Sequence, residues 1–290
     1  MRRRGWLDKL LVILKDIKVQ HTIFALPFAV MSAFLAAEGL PTGRQLFWIV
    51  MCMVSARSAA MAFNRIADAR IDAVNPRTKG RALPSGAVKA GTYWTFLIAA
   101  SAVFIVSAGM LNRLALMLSP LALIIVFFYS LTKRFTWSSH LFLGLALSVA
   151  PVGAWVAIRE EISLLSMVLG AAVIFWLAGF DILYACLDVE NDRRHRLNSV
   201  PQRFGVDRAL KLAGGSHVVM VVFLLGLLIS PLLGWFYFTG VLLVAGLLWY
   251  EHSLVKPNDL TKVNIAFFNV NGVISVLLMA TVIADCMWLQ

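Results

Sequence analysis

Apolar segments of about 20 residues recur along the whole chain and constrain its fold more than any other feature. Hydrophobic residues make up 60% of the 290 residues and charged residues only 14%, whereas a soluble domain is about 45–50% apolar. Nine segments are candidates to cross a bilayer, at about 21–38, 46–63, 92–111, 114–131, 141–158, 164–187, 214–233, 235–250 and 263–286. The eighth is short enough to be re-entrant or tilted instead. The sequence therefore predicts an all-α membrane protein with nine transmembrane helices in a single domain, residues 1–290.

Basic residues indicate how these helices are oriented. The net charge is +11, and Lys and Arg accumulate before the first predicted helix and after the second, fourth, sixth and eighth. The positive-inside rule places this side in the cytoplasm, so we expect an inner (plasma) membrane protein with a cytoplasmic N-terminus. Within the first 20 residues, the stretch Trp6 to Ile17 predicts an amphipathic helix on this surface. The excess charge fits contact with the lipid bilayer, and no basic patch interleaved with aromatic residues indicates nucleic-acid binding.

A first acidic cluster stands at the end of the second apolar segment. Asn64, Asp68 and Asp72 recur every fourth residue, so a helix places them on one face, each one turn from the next. A charge within a membrane helix costs about 2.5 kcal/mol or more, and such residues usually face a bundle interior or a wet cavity. The simplest alternative is that these acids only pair with neighbouring arginines at the membrane surface.

A second cluster ends the sixth apolar segment, where Asp181, Tyr184, Asp188 and Asp192 again share one helical face. Clustered carboxylates repel each other unless a cation lies between them, and hard oxygen ligands that also leave room for substrate phosphates match Mg²⁺. We assign no metal-binding role to Asp181. The sequence predicts bound Mg²⁺, and the metal ligands would be Asn64, Asp68, Asp72, Asp188 and Asp192.

Basic groups follow both clusters, in segments at about 64–91 and 188–212 that we expect to form cytoplasmic active-site loops. Arg77, Lys79 and Arg81 stand in the Pro- and Gly-bounded stretch after the first cluster, and Arg193 follows the second. Cationic side chains beside Mg²⁺ ligands suit a diphosphate, whose oxygens they neutralise. Arg57 lies two helical turns deeper than Asn64 and is a candidate to bind an anionic substrate group; the alternative is snorkelling or a structural partner.

These residues resemble the UbiA-type intramembrane prenyltransferases over essentially the whole chain. The resemblance is carried by the Asn-x-x-x-Asp-x-x-x-Asp and Asp-x-x-x-Asp motifs, by the stretches Arg81-Ala-Leu-Pro-Ser-Gly86 and Tyr129-Ser-Leu-Thr-Lys133-Arg134, and by Asn269-Val-Asn271. Many members follow the first Asn with Asp, whereas this chain has Arg65. The spacing of the ligands is unchanged, so the departure bears on substrate preference rather than on metal binding.

The resemblance implies a nine-helix bundle with a central cavity open to the cytoplasm. It implies transfer of a polyprenyl group from a polyprenyl diphosphate to an aromatic acid, 4-hydroxybenzoate or a dihydroxynaphthoate, in ubiquinone or menaquinone biosynthesis. Asp68, Asp188 and Tyr129 are expected to be catalytic, with Tyr129 stabilising the allylic carbocation by cation–π contact. Substrate contacts are expected from Arg57, Arg77, Lys79, Arg81, Lys133, Tyr184, Arg193 and Asn269. Lys18 is the second choice for the acceptor carboxylate, and a role for His21 in acceptor binding stays open.

A cation transporter is the main alternative of another class, because intramembrane acids also form ion sites. Both clusters lie toward the predicted cytoplasmic ends, however, and the opposite side offers little more than Glu38, Glu160, Glu161 and Asp285. The sequence therefore shows no polar path across the membrane, which favours an enzyme. Nothing in it indicates an obligate protein partner.

Overall fold

The computed structural model describes residues 6–17 and 25–288. The regular structure in this part of the chain is helical, as predicted. The helices are α1 (Trp6–Asp16), α2 (Leu26–Ala37), α3 (Gly43–Val74), α4 (Ala90–Gly109), α5 (Arg113–Thr132), α6 (Ser139–Arg159), α7 (Leu164–Ala185), α8 (Val189–Arg194), α9 (Val200–Phe204), α10 (Val206–Gly226), α11 (Trp235–Leu254), α12 (Val263–Ile265) and α13 (Asn271–Trp288). A 3₁₀ turn joins α7 to α8, and a π-helical turn, Ala266–Val270, joins α12 to α13.

Seven helical stretches in the described residues are long and apolar enough to cross a membrane, fewer than the nine predicted. They lie at 43–74, 90–109, 113–132, 139–159, 164–194, 206–229 and 263–288. The first predicted span corresponds to α2, which has 12 residues and follows a stretch outside the described residues. The eighth corresponds to α11, which is 20 residues long but is not among the seven. The chain is thus a multi-pass membrane protein.

The amphipathic segment at the N-terminus forms a helix. One face of α1 is buried, since Ile13 and Ile17 are each only 1% exposed and pack in a cluster with Tyr93 of α4 and Ala82 of the loop before it. Trp6 lies on the exposed side. The surface helix therefore docks onto the bundle beside the loop that follows α3.

Helix α7 lies at the centre of the larger core, between α6 and α10. The approach of α6 to α7 depends on Gly144, because a Cβ there would lie 2.4 Å from the carbonyl oxygen of Ile174. On the other side, a Cβ on Gly179 would lie 2.2 Å from the His217 ring of α10. Small residues at both contacts let the helix backbones approach closely, and this fixes the position of α7 relative to its neighbours.

The structure changes the bounds of both predicted loops. Residues 64–74 are helical, because α3 continues without interruption to Val74, and only about 75–89 form a loop. The segment 188–212 is mostly short helices, since α8, α9 and the start of α10 lie within it. The first acidic cluster therefore stands on a rigid helix rather than on a loop.

Candidate active site

The second acidic cluster and Asn64 of the first line one cavity of about 220 Å³. Asp68 lies behind this lining and is joined to it through Lys133, which lines the cavity and donates to the Asp68 carboxylate. Its lining combines α3, the end of α5, the start of α6, the end of α7 and the segment that follows α7. Among the residues predicted from the sequence, the lining includes Asn64, Tyr129, Lys133, Tyr184, Asp188 and Asp192. It also includes Asp181 and, not foreseen, His140 and Ser199. Residues from chain positions more than 120 apart thus face a single volume.

The first cluster is held by cations from the loops around it. The Lys133 ammonium donates to Asp68 Oδ2 at 2.6 Å, and Asn64 Nδ2 donates to the same oxygen at 3.3 Å. Arg81 Nη1 donates to Asp72 Oδ2 at 2.6 Å. Both carboxylates are buried, with Asp68 only 2% exposed, and Asp68 Oδ1 accepts no hydrogen bond within the described part of the chain. Buried carboxylates that are only partly satisfied are suited to accept a further cation.

The second cluster is bound mainly by neutral donors. The Ser199 hydroxyl donates to Asp192 Oδ2 at 2.8 Å, and this serine also caps α9. Asp181 Oδ2 lies 2.6 Å from His140 Nδ1, while His140 Nε2 accepts a hydrogen bond from the backbone N–H of Val200. The Val200 bond needs an unprotonated Nε2, so the proton of a neutral ring is on Nδ1 and is donated to Asp181.

Arg77 joins the two clusters. It belongs to the loop after the first cluster, but its guanidinium is ion-paired with Asp188 and donates to the Tyr184 hydroxyl at 2.9 Å. Burial lowers the pKa of Arg77, but Asp188 and Tyr184 outweigh this effect, so the pKa stands above its usual value. Arg77 therefore stays cationic and closes the loop over the second cluster.

Arg57 occupies a different place from the other predicted cations. It lies on α3 inside the bundle, and its buried Nε has no hydrogen-bond partner among residues 6–17 and 25–288. It interacts electrostatically with Tyr129, which lines the cavity. A guanidinium with a buried, unused donor can receive an anionic group from the cavity side. Lys18 and His21, the other residues considered for the acceptor, lie outside the described residues.

Six of the predicted substrate residues lie outside the cavity lining, namely Arg57, Arg77, Lys79, Arg81, Arg193 and Asn269. Lys79, Arg193 and Asn269 have exposed side chains. In the Asn269-Val-Asn271 pair, it is Asn271 that is buried: it accepts from Trp176 Nε1 at 2.7 Å and donates to Glu251 Oε1 at 2.7 Å. This asparagine connects α13 to α7 and α11. Its place in the motif therefore reflects helix packing rather than substrate binding.

The donor atoms in the cavity fit a hard divalent cation. Every candidate ligand offers oxygen, either a carboxylate or the Asn64 amide. Asp68 Oδ1, beside the cavity, accepts no hydrogen bond within the described residues and has Arg134 Nη2 at 3.6 Å. No three His, Cys, Asp or Glu side chains in the described ranges converge closely enough to hold a metal alone. Mg²⁺ commonly binds through one or two carboxylates and completes its shell with waters and substrate phosphates. The residues thus suit Mg²⁺ that arrives with a phosphorylated ligand.

Comparison with curated proteins gives consistent relatives. The chain is 32% identical to the 4-hydroxybenzoate octaprenyltransferase of Vibrio parahaemolyticus serotype O3:K6 (strain RIMD 2210633) over 251 residues, 86% of this chain and 88% of the relative. It is 33% identical to the enzyme of the same name from Marinobacter nauticus (strain ATCC 700491 / DSM 11845 / VT8) over 243 residues, 82% of this chain and 81% of the relative.

Solved structures share the fold. A UbiA homolog from Aeropyrum pernix K1 in its apo form aligns with a TM-score of 0.83 and 34% identity, covering 92% of this chain and 98% of that one. A UbiA homolog from Archaeoglobus fulgidus bound to GPP and Mg²⁺ aligns with a TM-score of 0.74 at 20% identity, covering 95% and 99%. The model of the UbiA prenyltransferase family matches residues 25–273. The chain belongs to the UbiA prenyltransferase family.

Proposed function

We propose that the protein transfers a polyprenyl group from a polyprenyl diphosphate to a carboxylate-bearing phenol, in the first place 4-hydroxybenzoate, with Mg²⁺. The observation that carries this proposal is a cavity lined by Asn64, Lys133 and the second acidic cluster. The first cluster reaches it through the Lys133–Asp68 ion pair, and the basic loop reaches it through the Arg77–Asp188 ion pair. A divalent cation on each side and basic groups between them match the geometry of a single diphosphate. The relatives named 4-hydroxybenzoate octaprenyltransferase support this choice of acceptor.

The donor end of the site is formed by residues that now neutralise one another. Lys133 pairs with Asp68, Arg81 with Asp72 and Arg77 with Asp188. When a diphosphate enters, the cations can turn to its oxygens, and the carboxylates become free to bind Mg²⁺. Bound Mg²⁺ would neutralise the diphosphate and stabilise it as a leaving group. The ion pairs thus keep both ligand sets in the cavity without leaving a charge uncompensated.

The acceptor end is assigned to Arg57. A carboxylate on the acceptor ring needs a cation away from the diphosphate, because two anions on the same cations would compete. Arg57 is half-buried, has a buried and unused Nε donor within the described residues and lies near Tyr129. A guanidinium binds a carboxylate through two parallel hydrogen bonds. This places the ring between Arg57 and the donor.

The chemistry between these ends is an electrophilic substitution. The C–O bond between the allylic carbon and the diphosphate breaks, and its electron pair leaves with the diphosphate. A ring carbon next to the phenol hydroxyl then bonds to the allylic carbon. Tyr129 and Tyr184 line the cavity and can stabilise the cation by about 1–2 kcal/mol each. Enclosure by the bundle keeps out water, which would trap the cation as an alcohol.

The ring must finally lose a proton, and Asp181 is the group best placed to accept it. It lines the cavity, and its hydrogen-bond partner within the described chain is His140, which lies against Oδ2. Unlike Asp68, Asp72 and Asp188, it is not paired with Lys or Arg. Its second oxygen can take the proton from the substituted ring carbon, and His140 stabilises the carboxylate that precedes this step.

Polyprenyl diphosphates are charged and are made in the cytoplasm, so we place the cavity mouth on the cytoplasmic side of the inner (plasma) membrane. The basic residues beside both clusters, including the exposed Lys79 and Arg193, support this orientation. These two then act in attracting the anionic donor rather than in holding it.

The function is tested by incubating the purified protein in liposomes with a labelled polyprenyl diphosphate, Mg²⁺ and 4-hydroxybenzoate. Formation of a prenylated 4-hydroxybenzoate that EDTA abolishes would support the proposal. A parallel reaction with 1,4-dihydroxy-2-naphthoate compares the second acceptor under the same conditions. If no Mg²⁺-dependent prenylated product forms with 4-hydroxybenzoate, the assignment is wrong.

A further inference from the structure

One carboxylate outside the cavity has three polar partners from three different parts of the chain. Asp16, the last residue of α1, accepts a hydrogen bond from the Tyr93 hydroxyl at 2.5 Å on Oδ2 and from the backbone N–H of Ala82 at 3.2 Å on Oδ1. It is also ion-paired with Arg65, whose Nε lies 3.3 Å from Oδ2. A single side chain thus connects the surface helix with α3, α4 and the loop between them.

Arg65 completes this connection. It is 4% exposed, and besides the ion pair its Nη2 donates to the backbone carbonyl of Asp16 at 3.1 Å. Its Nη1 donates to Asn64 Oδ1 at 3.2 Å. Arg65 therefore points away from the cavity, toward α1, and at the same time fixes the amide of a candidate metal ligand. Arg65, the residue at which this chain departs from the common family motif, thus serves to bind Asp16 of α1.

The loop that Asp16 holds is the one that carries the donor-site cations. Ala82, whose N–H binds Asp16, directly follows Arg81, the partner of Asp72. Four residues before Arg81, Arg77 reaches Asp188. Apart from these ion pairs, the tip of the loop is exposed around Lys79 and Gly80. The loop is thus anchored at one end by α1 and at the cavity by its own arginines.

We propose that Asp16 is a positioning residue that ties α1 to the loop of residues 75–89 and thereby holds Arg77 and Arg81 over the donor site. The expected effect of Asp16 on donor kinetics rests on the proposed function. Its effect on how firmly the loop is held does not depend on the reaction. The carboxylate acts from outside the cavity, because its three partners are Tyr93, Ala82 and Arg65. Loss of these bonds frees the loop without removing any cavity residue.

Two measurements on Asp16→Asn test this role, and the first needs no enzymatic activity. Lys79 is exposed, but trypsin needs several residues on each side of the bond it cuts in an extended form, and the docked loop holds them in tight turns. The rate of cleavage after Lys79 in liposomes therefore reports the population of open loop. We expect cleavage in Asp16→Asn to be about tenfold faster, as the loss of a charged hydrogen bond implies. An unchanged rate would overturn the proposal whether or not the protein is a prenyltransferase.

The second measurement is the steady-state kinetics of the same variant. Because the displaced arginines bind the donor, we expect the KM for the polyprenyl diphosphate to rise about tenfold while kcat changes less than about threefold. A purely structural defect would instead reduce the active fraction, and so kcat, at unchanged KM. That pattern would overturn the role in positioning even if cleavage were faster.

Two further variants make the result specific. Tyr93→Phe removes one hydrogen bond to Asp16 and keeps the ring, so it tests the same contact if Asp16→Asn does not fold. A smaller increase in cleavage supports the proposal, and none overturns it. Asp207→Asn is the matched control, since Asp207 is an exposed carboxylate that pairs with Lys211, and both readouts should stay at the wild-type value.

Discussion

Arg77 and Asp188 stand 111 residues apart in the chain and form an ion pair that closes the first basic loop onto the second acidic cluster. The same guanidinium binds the Tyr184 hydroxyl. Through these contacts the two halves of the cavity are joined by a cation from one half and a carboxylate from the other. A diphosphate that takes the place of Asp188 on Arg77 leaves that carboxylate free for a metal ion, so donor and metal binding are expected to be coupled.

Removal of Arg77 should therefore weaken the donor more than the acceptor. For Arg77→Gln, we expect the KM for the polyprenyl diphosphate to rise about 10–100-fold, because a charge-assisted contact is lost. The KM for 4-hydroxybenzoate should change little. The two values are measured by varying one substrate at saturation of the other, and Arg194→Gln, an exposed arginine paired with Glu190, serves as control. An effect confined to the acceptor would contradict the assignment of Arg77.

The carboxylates of both clusters should be indispensable. We expect Asp68→Ala and Asp188→Ala each to reduce kcat by about 10³-fold or more, since each removes a carboxylate that would hold Mg²⁺ against the diphosphate. Membrane insertion should be unaffected, which detergent extraction and size-exclusion chromatography can verify. Near-normal turnover in either variant would show that the metal site lies elsewhere.

Arg57 should determine recognition of the acceptor carboxylate. With Arg57→Gln, we expect the KM for 4-hydroxybenzoate to rise about 10–100-fold, while binding of the donor stays close to that of the wild type. A second comparison uses a phenol that lacks the carboxylate. Its turnover should be equally low in the wild type and in Arg57→Gln. If Arg57→Gln discriminates between the two acceptors as well as the wild type does, another cation binds the carboxylate.

Asp181 should act on the ring proton and not on the donor. Asp181→Asn is expected to lower kcat by about 10²-fold or more, in the range of a lost general base, while binding of the polyprenyl diphosphate stays close to that of the wild type. With 4-hydroxybenzoate deuterated at the carbons next to the hydroxyl, the variant should show a primary isotope effect that the wild type lacks. If the variant shows no isotope effect and binds the donor more weakly, Asp181 belongs to the donor site instead.

The packing of α6 against α7 gives a prediction that is independent of the reaction. Gly144→Ala would place a Cβ at 2.4 Å from the Ile174 carbonyl oxygen, so we expect the variant to lose about 1–3 kcal/mol of stability. Thermal unfolding in detergent measures the change, with Gly153→Ala as control because no atom lies within 4 Å of a Cβ there. Equal stability of the two variants would contradict the close helix contact.

The sequence was most informative where a periodic pattern reports local structure. The four-residue spacing of Asn64, Asp68 and Asp72 predicted one helical face, and α3 indeed continues through all three. The end of that helix was placed too early, because polar residues after Asn64 look like a loop although they still hydrogen-bond as helix. Apolar length predicted the membrane helices, but seven rather than nine satisfy it in the described residues.

Contacts between distant residues could not be read from the chain. Nothing in the spacing of His140 and Asp181 indicates that they are partners, since they stand on different helices. The role of Arg65 likewise depends on Asp16, which the sequence places 49 positions earlier on a separate surface helix. Asn269 and Asn271 differ by two positions, yet only the structure shows that Asn271 is buried in the core and Asn269 is exposed.

The central claim is that the two acidic clusters form one donor site. Equilibrium binding of a radiolabelled, non-hydrolysable polyprenyl diphosphate analogue to the protein in liposomes, with Mg²⁺ at saturation, tests it most directly. We predict one bound analogue per chain, and loss of this binding in Asp68→Ala and in Asp188→Ala alike, with no further loss in the double variant. Two analogues per chain, or one variant that keeps half of the binding, would contradict a single shared site.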